Sequence, residues 1–120
     1  MSEVTLEELQ SHRKQLKEVV ARAQMATKLA ANKEFKALIM EEFCVQECAR
    51  YAQASSDPKL RPEERADSLA ISQAAGHLRR WLNVIQQMGT SATASLEEIE
   101  EMIVEHMRGD DAGAEEVTDA

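Results

Sequence analysis

The sequence predicts an all-α protein, and two observations lead to this prediction. The 120 residues are rich in Ala, Leu, Glu and Gln and contain two Pro and four Gly, a composition that favours helices over strands. Two apolar stripes with alternating steps of four and three residues run between Pro62 and Gly89. A helix that is apolar on two neighbouring sides contacts two partners, as in a bundle or coiled coil. The first stripe is Ile71, Ala75, Leu78, Leu82 and Ile85, and the second stripe is Ala70, Ala74, His77, Trp81, Val84 and Met88.

Two helices are predicted before these stripes. Thr5 and Glu8 have the spacing of a capping box, so the first helix is expected over about 5–30. Asn32 is suited to cap a second helix over about 33–54. A broad apolar side of that second helix is expected to lie at the centre of the fold, and it comprises Phe35, Leu38, Ile39, Val45, Ala49 and Ala52. Asp57 before Pro58 then predicts a short loop.

The third helix is predicted over about 62–88, with Pro62 in its first turn and Gly89 as its C-terminal stop. It should form a long antiparallel hairpin with the second helix. Ser95 and Glu98 form a second capping-box pattern, which predicts a short fourth helix over about 95–108. Residues 110–120 are expected to be a disordered acidic tail after a single helical domain at 1–109.

The charge is unevenly distributed along the chain. The formal net charge is -8, yet residues 1–94 are close to neutral, and residues 95–120 contain ten acidic residues and one Arg. The N-terminus lacks a basic and apolar signal segment, and no apolar run approaches the roughly 20 residues of a membrane-spanning helix. We therefore expect an intracellular protein that is neither secreted nor in a membrane.

The candidate chemical groups each have a simpler structural interpretation. Cys44 and Cys48 could supply two ligands to a metal, but zinc needs four, so reduced core thiols are the favoured interpretation. His77 could act as a base, although a packing role on the second stripe is more common. Glu42 and its acidic neighbours lack the Glu-x-x-His pairs of di-iron bundles and would need an arginine partner if buried. No catalytic residue, cofactor, metal or small-molecule substrate is predicted.

Two charged regions are candidates for binding. Arg13, Lys14 and Lys17 could contact nucleic-acid phosphates, although a pI of about 4.9 makes a solvated helix face the default. The acidic end could engage a basic partner or only confer solubility.

The segment from Asn32 to Gly89 resembles a group of small acidic helical proteins of tailed bacteriophages. The resemblance rests on NKEFKALIMEEF, on DPKLRPEE and on LRRWLNVIQQMG, and it covers about half of the chain. It implies a role in virion assembly and a location in the host cytoplasm or the virion, but it implies no catalytic or binding residue.

The predicted function is that of a non-enzymatic helical interaction protein in phage head assembly or DNA packaging, as a virion component or as a scaffold-like or small-terminase-like accessory. Self-association is expected, with Trp81, Leu82, Ile85 and Met88 binding the partner. The alternative is a host-takeover factor that inhibits a host protein through its acidic C-terminal region.

Overall fold

A computed structural model describes residues 4–118 of the chain, with side chains described for residues 4–109, and every regular element in this part is helical. Helix α1 is Leu6–Ala31. Helix α2 spans 33–54 and consists of an α-helical turn Lys33–Phe35, a π-helical segment Lys36–Glu47 and a second α-helical segment Cys48–Ala54. Helix α3 is Pro62–Thr118. The predicted all-α class is confirmed, and none of the described helices is both long and apolar enough to cross a membrane.

The predicted helix starts are confirmed by their caps. The backbone N–H of Glu8 donates to the Thr5 hydroxyl over 3.1 Å, and the Thr5 N–H donates back to the Glu8 carboxylate. The N–H of Phe35 donates to the Asn32 side chain over 2.8 Å. Helix α3 begins at Pro62, and the restricted φ angle of proline favours the first position of a helix. In the loop between α2 and α3, the Lys59 N–H donates a hydrogen bond of 2.9 Å to the Asp57 carboxylate.

The predicted end of the third helix at Gly89 and the separate fourth helix at 95–108 are wrong, because α3 runs through both without interruption. A glycine inside a helix costs about 1 kcal/mol relative to alanine, and residues 90–94 contain no proline that would prevent the helix from continuing. The heptad spacing also continues past Gly89. The residues that extend the first stripe at this spacing are Gly89, Ala92, Leu96, Ile99 and Ile103, all buried or half-buried.

The backbone of residues 110–118 is helical as well, where the sequence predicts a disordered tail. This stretch again lacks proline and contains alanine and glutamate, both of which have high helix propensity. The last two residues of the predicted tail lie outside the described part.

The chain divides into two compact units. The first comprises Met1–Ala23 and Gln87–Ala120. Its core is formed by Leu9 of α1 with Ile99 and Ile103 of α3, and Leu6 and Leu16 pack against this cluster. The two helices approach each other closely at Gly89, where an added β-carbon would overlap the side chain of Ala23. Gly89 therefore permits close packing inside a continuous helix, where a helix stop was predicted.

The second compact unit, Gln24–Gln86, contains the predicted antiparallel hairpin of α2 and α3. The Cys44 thiol lies 3.8 Å from the carbonyl oxygen of Ala75, and the Cys48 thiol lies 3.4 Å from that of Ser72. The contacts run in opposite directions along the two helices, as an antiparallel pair requires. The buried residues of this unit are Ala26, Cys44, Ser68, Ala75, Leu82 and Ile85.

The side of α2 that packs inward differs from the prediction. Leu38 and Val45 are 59% and 53% exposed, and Ala49 and Ala52 are exposed too. The prediction assumed the α-helical period, whereas the π-helical segment has i to i+5 hydrogen bonds and more residues per turn. The inward positions therefore recur at longer intervals. The residues that become buried or half-buried are Phe35, Ile39, Met40, Phe43, Cys44, Glu47, Cys48 and Tyr51.

Candidate protein-interaction surface

The second stripe of α3 is exposed, and it is the main candidate for a binding surface. Trp81, Val84 and Met88 are 54%, 39% and 45% exposed. Their steps of three and four residues place them on one side of the helix. The earlier positions of the stripe, Ala70, Ala74 and His77, are exposed as well. Tryptophan and methionine are enriched in the contact regions of protein interfaces, so this surface has a composition suited to protein binding.

The four residues predicted to bind a partner are divided between two environments. Leu82 and Ile85 belong to the first stripe and are only 9% and 5% exposed, so they pack within the chain. Trp81 and Met88 are on the second stripe and are accessible to a partner. Val84 was assigned to the same stripe from its spacing, but it was not among the residues predicted to bind a partner. The spacing assigns these residues to two different stripes. It does not indicate which of the two stripes is covered by other parts of the same chain.

Further large apolar side chains are exposed on the second compact unit. Two of them, Leu38 and Val45, were expected inside and lie at the surface because of the π-helical register of α2. Large apolar side chains that are exposed singly are common on protein surfaces, so this set does not by itself define a second binding surface. The set comprises Met25, Leu29, Leu38, Val45, Leu69, Trp81 and Val84.

Cys44 and Cys48 lie at the contact between α2 and α3. Both are reduced thiols, and their Sγ atoms face backbone carbonyl oxygens of α3. Burial raises the pKa of the Cys44 thiol above its usual range, and nearby Arg79 opposes this effect more weakly. Among the described residues, no group of three or more His, Cys, Asp and Glu side chains has the arrangement of a metal site. The cysteines thus have the environment of packing residues.

Cys44 should react with thiol reagents much more slowly than Cys48, because it is 3% exposed and its thiolate is disfavoured. In native protein, a Cys48→Ala chain should be modified at least about tenfold more slowly than a Cys44→Ala chain. The raised pKa also means that this thiol contributes stability below the usual thiol pKa of about 8.5, and that the contribution is lost as the pH rises through the raised value. Equal modification rates in the two variants would contradict the assignment.

The predicted phosphate-binding residues lie on α1. Lys14 and Lys17 are exposed, and Arg13 is half-buried. Glu42 on α2 is exposed, so it needs no buried arginine partner. Phosphate contact by Arg13, Lys14 and Lys17 stays a prediction.

The C-terminal half of α3 has a strongly acidic exposed side. Glu97, Glu100, Glu101 and Glu105 line a shallow open depression together with Val104 and Arg108. All six residues belong to the same helix and are exposed. This acidic surface, as we call it, lies within the predicted acidic region, whose side chains are described as far as residue 109.

Comparison with protein-family profiles, with curated proteins and with solved structures finds no match to this chain. The resemblance to small acidic proteins of tailed phages therefore stays a prediction from the sequence.

Proposed function

We propose that this protein is a non-enzymatic helical interaction protein that works by binding other protein chains, including its own copies, through the second stripe of α3. The observation that carries this proposal is the exposure of Trp81, Val84 and Met88 along one side of a continuous helix. Fully burying one such side chain contributes about 1.5–3 kcal/mol. Several of them in one stripe can support a specific interface around a tryptophan anchor.

The cellular setting of this binding is phage head assembly or DNA packaging. The support for this setting is the resemblance of residues 32–89 to small acidic phage proteins. A helical accessory that binds copies of itself and other virion proteins needs exposed apolar helix surface and no catalytic group, and the second stripe supplies such a surface.

Deleting the gene from a phage that encodes it tests this proposal. The expected result is a loss of DNA-filled heads by electron microscopy, restored by the wild-type chain but not by Val84→Glu. Asn83→Glu is the matched control, because Asn83 is exposed on the same helix but lies outside the second stripe. Normal numbers of filled heads without the gene would exclude the assembly role.

The acidic surface favours a second candidate function, that of a host-takeover factor which binds a basic surface of a host protein. Truncating residues 95–120 cannot test it cleanly, because Ile99 and Ile103 belong to the core of the first compact unit. Replacing Glu100, Glu101 and Glu105 by Gln keeps these core residues.

For the takeover function, expression of the chain should slow host growth, and the triple Gln variant should lose this effect. A triple Gln variant at Glu18, Glu41 and Glu42, which are also exposed, should keep it. Equal growth inhibition by both variants would exclude recognition through the acidic surface.

A further inference from the structure

We propose that the second stripe of α3 is covered by the same stripe of a second copy, with the two α3 helices antiparallel and related by a two-fold axis near residue 79. This inference rests on the proposed function, since it identifies the occupant and the geometry of the binding surface.

The exposed side chains of the stripe are the first argument. Trp81, Val84 and Met88 are 54%, 39% and 45% exposed in the single chain. A second copy would bury all three, and a buried tryptophan surrounded by apolar side chains is typical of the centre of a stable interface.

The order of residue sizes along the stripe is the second argument. The stripe begins with the small residues Ala70 and Ala74 and ends with the bulky residues Val84 and Met88. An antiparallel copy centred on residue 79 pairs Ala70 with Met88 and Ala74 with Val84. Each of these small side chains then faces a large one, which keeps the distance between the two helices similar at both ends of the contact.

The centre of the stripe fits the same arrangement. In this register His77 of one copy faces Trp81 of the other, so that two ring pairs lie on either side of the axis. Both side chains are exposed in the single chain, and Trp81 is 54% exposed. Ring pairs in contact contribute beyond the burial of their area.

The parallel arrangement does not fit the stripe as well. It would place Trp81 against Trp81 and Met88 against Met88 at one end, while the alanines faced each other at the other end. The helices would then be held apart by the bulky residues and leave a gap between the small ones, which loses packing contacts.

Sedimentation velocity of the purified full chain tests whether this surface holds two copies together. The wild-type chain should be a dimer at tens of micromolar. Val84→Glu should weaken dimerisation by about 30-fold or more, because a carboxylate would be buried in the contact opposite Ala74 of the second copy. Asn83→Glu should leave it unchanged. Circular dichroism of both variants should show wild-type helix content, since both positions are exposed.

Disulfide cross-linking tests the antiparallel register. Ala74→Cys chains mixed with Val84→Cys chains should form a 74–84 disulfide on mild oxidation, identified by peptide mapping. Neither variant should form its own 74–74 or 84–84 disulfide, and the wild-type chain, which keeps Cys44 and Cys48, supplies the background. A 74–74 disulfide from Ala74→Cys alone would show a parallel pair and overturn the inference.

The outcomes separate this inference from the proposed function. A strictly monomeric wild-type chain, or a dimer that Val84→Glu does not weaken, would overturn the self-pairing of the stripe. Filled heads could still depend on Val84 in the gene-deletion experiment, in which case the stripe binds another virion protein. Normal head assembly without the gene would instead remove the assembly role and leave any dimer intact.

Discussion

Replacing Ile99 with Ala should lower the free energy of unfolding by about 2–4 kcal/mol. Ile99 is 6% exposed and packs with Leu9 and Ile103 in the core of the first compact unit. Removing its outer carbons leaves a cavity that the two helices cannot fill without moving. Urea unfolding followed by circular dichroism measures the effect as a shift of the midpoint at an unchanged slope.

Met102→Ala is the matched control for this prediction. Met102 lies three residues further along the same helix and is 44% exposed, so its replacement should change the free energy of unfolding by less than about 0.5 kcal/mol. Equal effects of the two substitutions would mean that α1 and α3 do not pack through Ile99 in solution.

Gly89→Ala should destabilise the protein by about 1–2 kcal/mol, although alanine is the better helix former by about 1 kcal/mol. The new β-carbon would overlap that of Ala23, and the Cα of Ala23 lies 3.7 Å from it. Rotating a side chain cannot move the Cβ or the Cα of Ala23 out of the way, so the two helices must move apart. Chemical denaturation again measures the change.

Gly76→Ala should have the opposite sign and raise stability by about 0.5–1 kcal/mol. Gly76 is also inside α3, but nothing lies within 4 Å of an added β-carbon there. Comparing Gly76→Ala with Gly89→Ala therefore separates the effect of helix propensity on stability from the effect of packing, within one helix. If both substitutions stabilise the protein, Gly89 is not a point of close approach.

Local sequence chemistry was sufficient to predict where helices begin. The Thr5–Glu8 box, the Asn32 cap and Pro62 act through hydrogen bonds and backbone angles within a few residues, and the structure contains all three helix starts. Of the four residues predicted to bind a partner, two are exposed in the structure. The spacing identified two stripes on α3, but burial assigned Leu82 and Ile85 to the chain's own core and left Trp81 and Met88 exposed.

By itself the sequence determined the all-α class, the helix starts and the two stripes, because these depend on propensity, caps and periodicity over short distances. Tertiary structure decided the rest. Gly89 lies inside a helix at the point where Ala23 approaches it, a contact between residues far apart in the chain. Similarly, α2 directs Cys44 toward Ala75 and leaves Val45 exposed because its turns are π-helical, and this register places the thiols against α3. Neither contact is encoded in the local pattern, since each depends on which helix lies alongside.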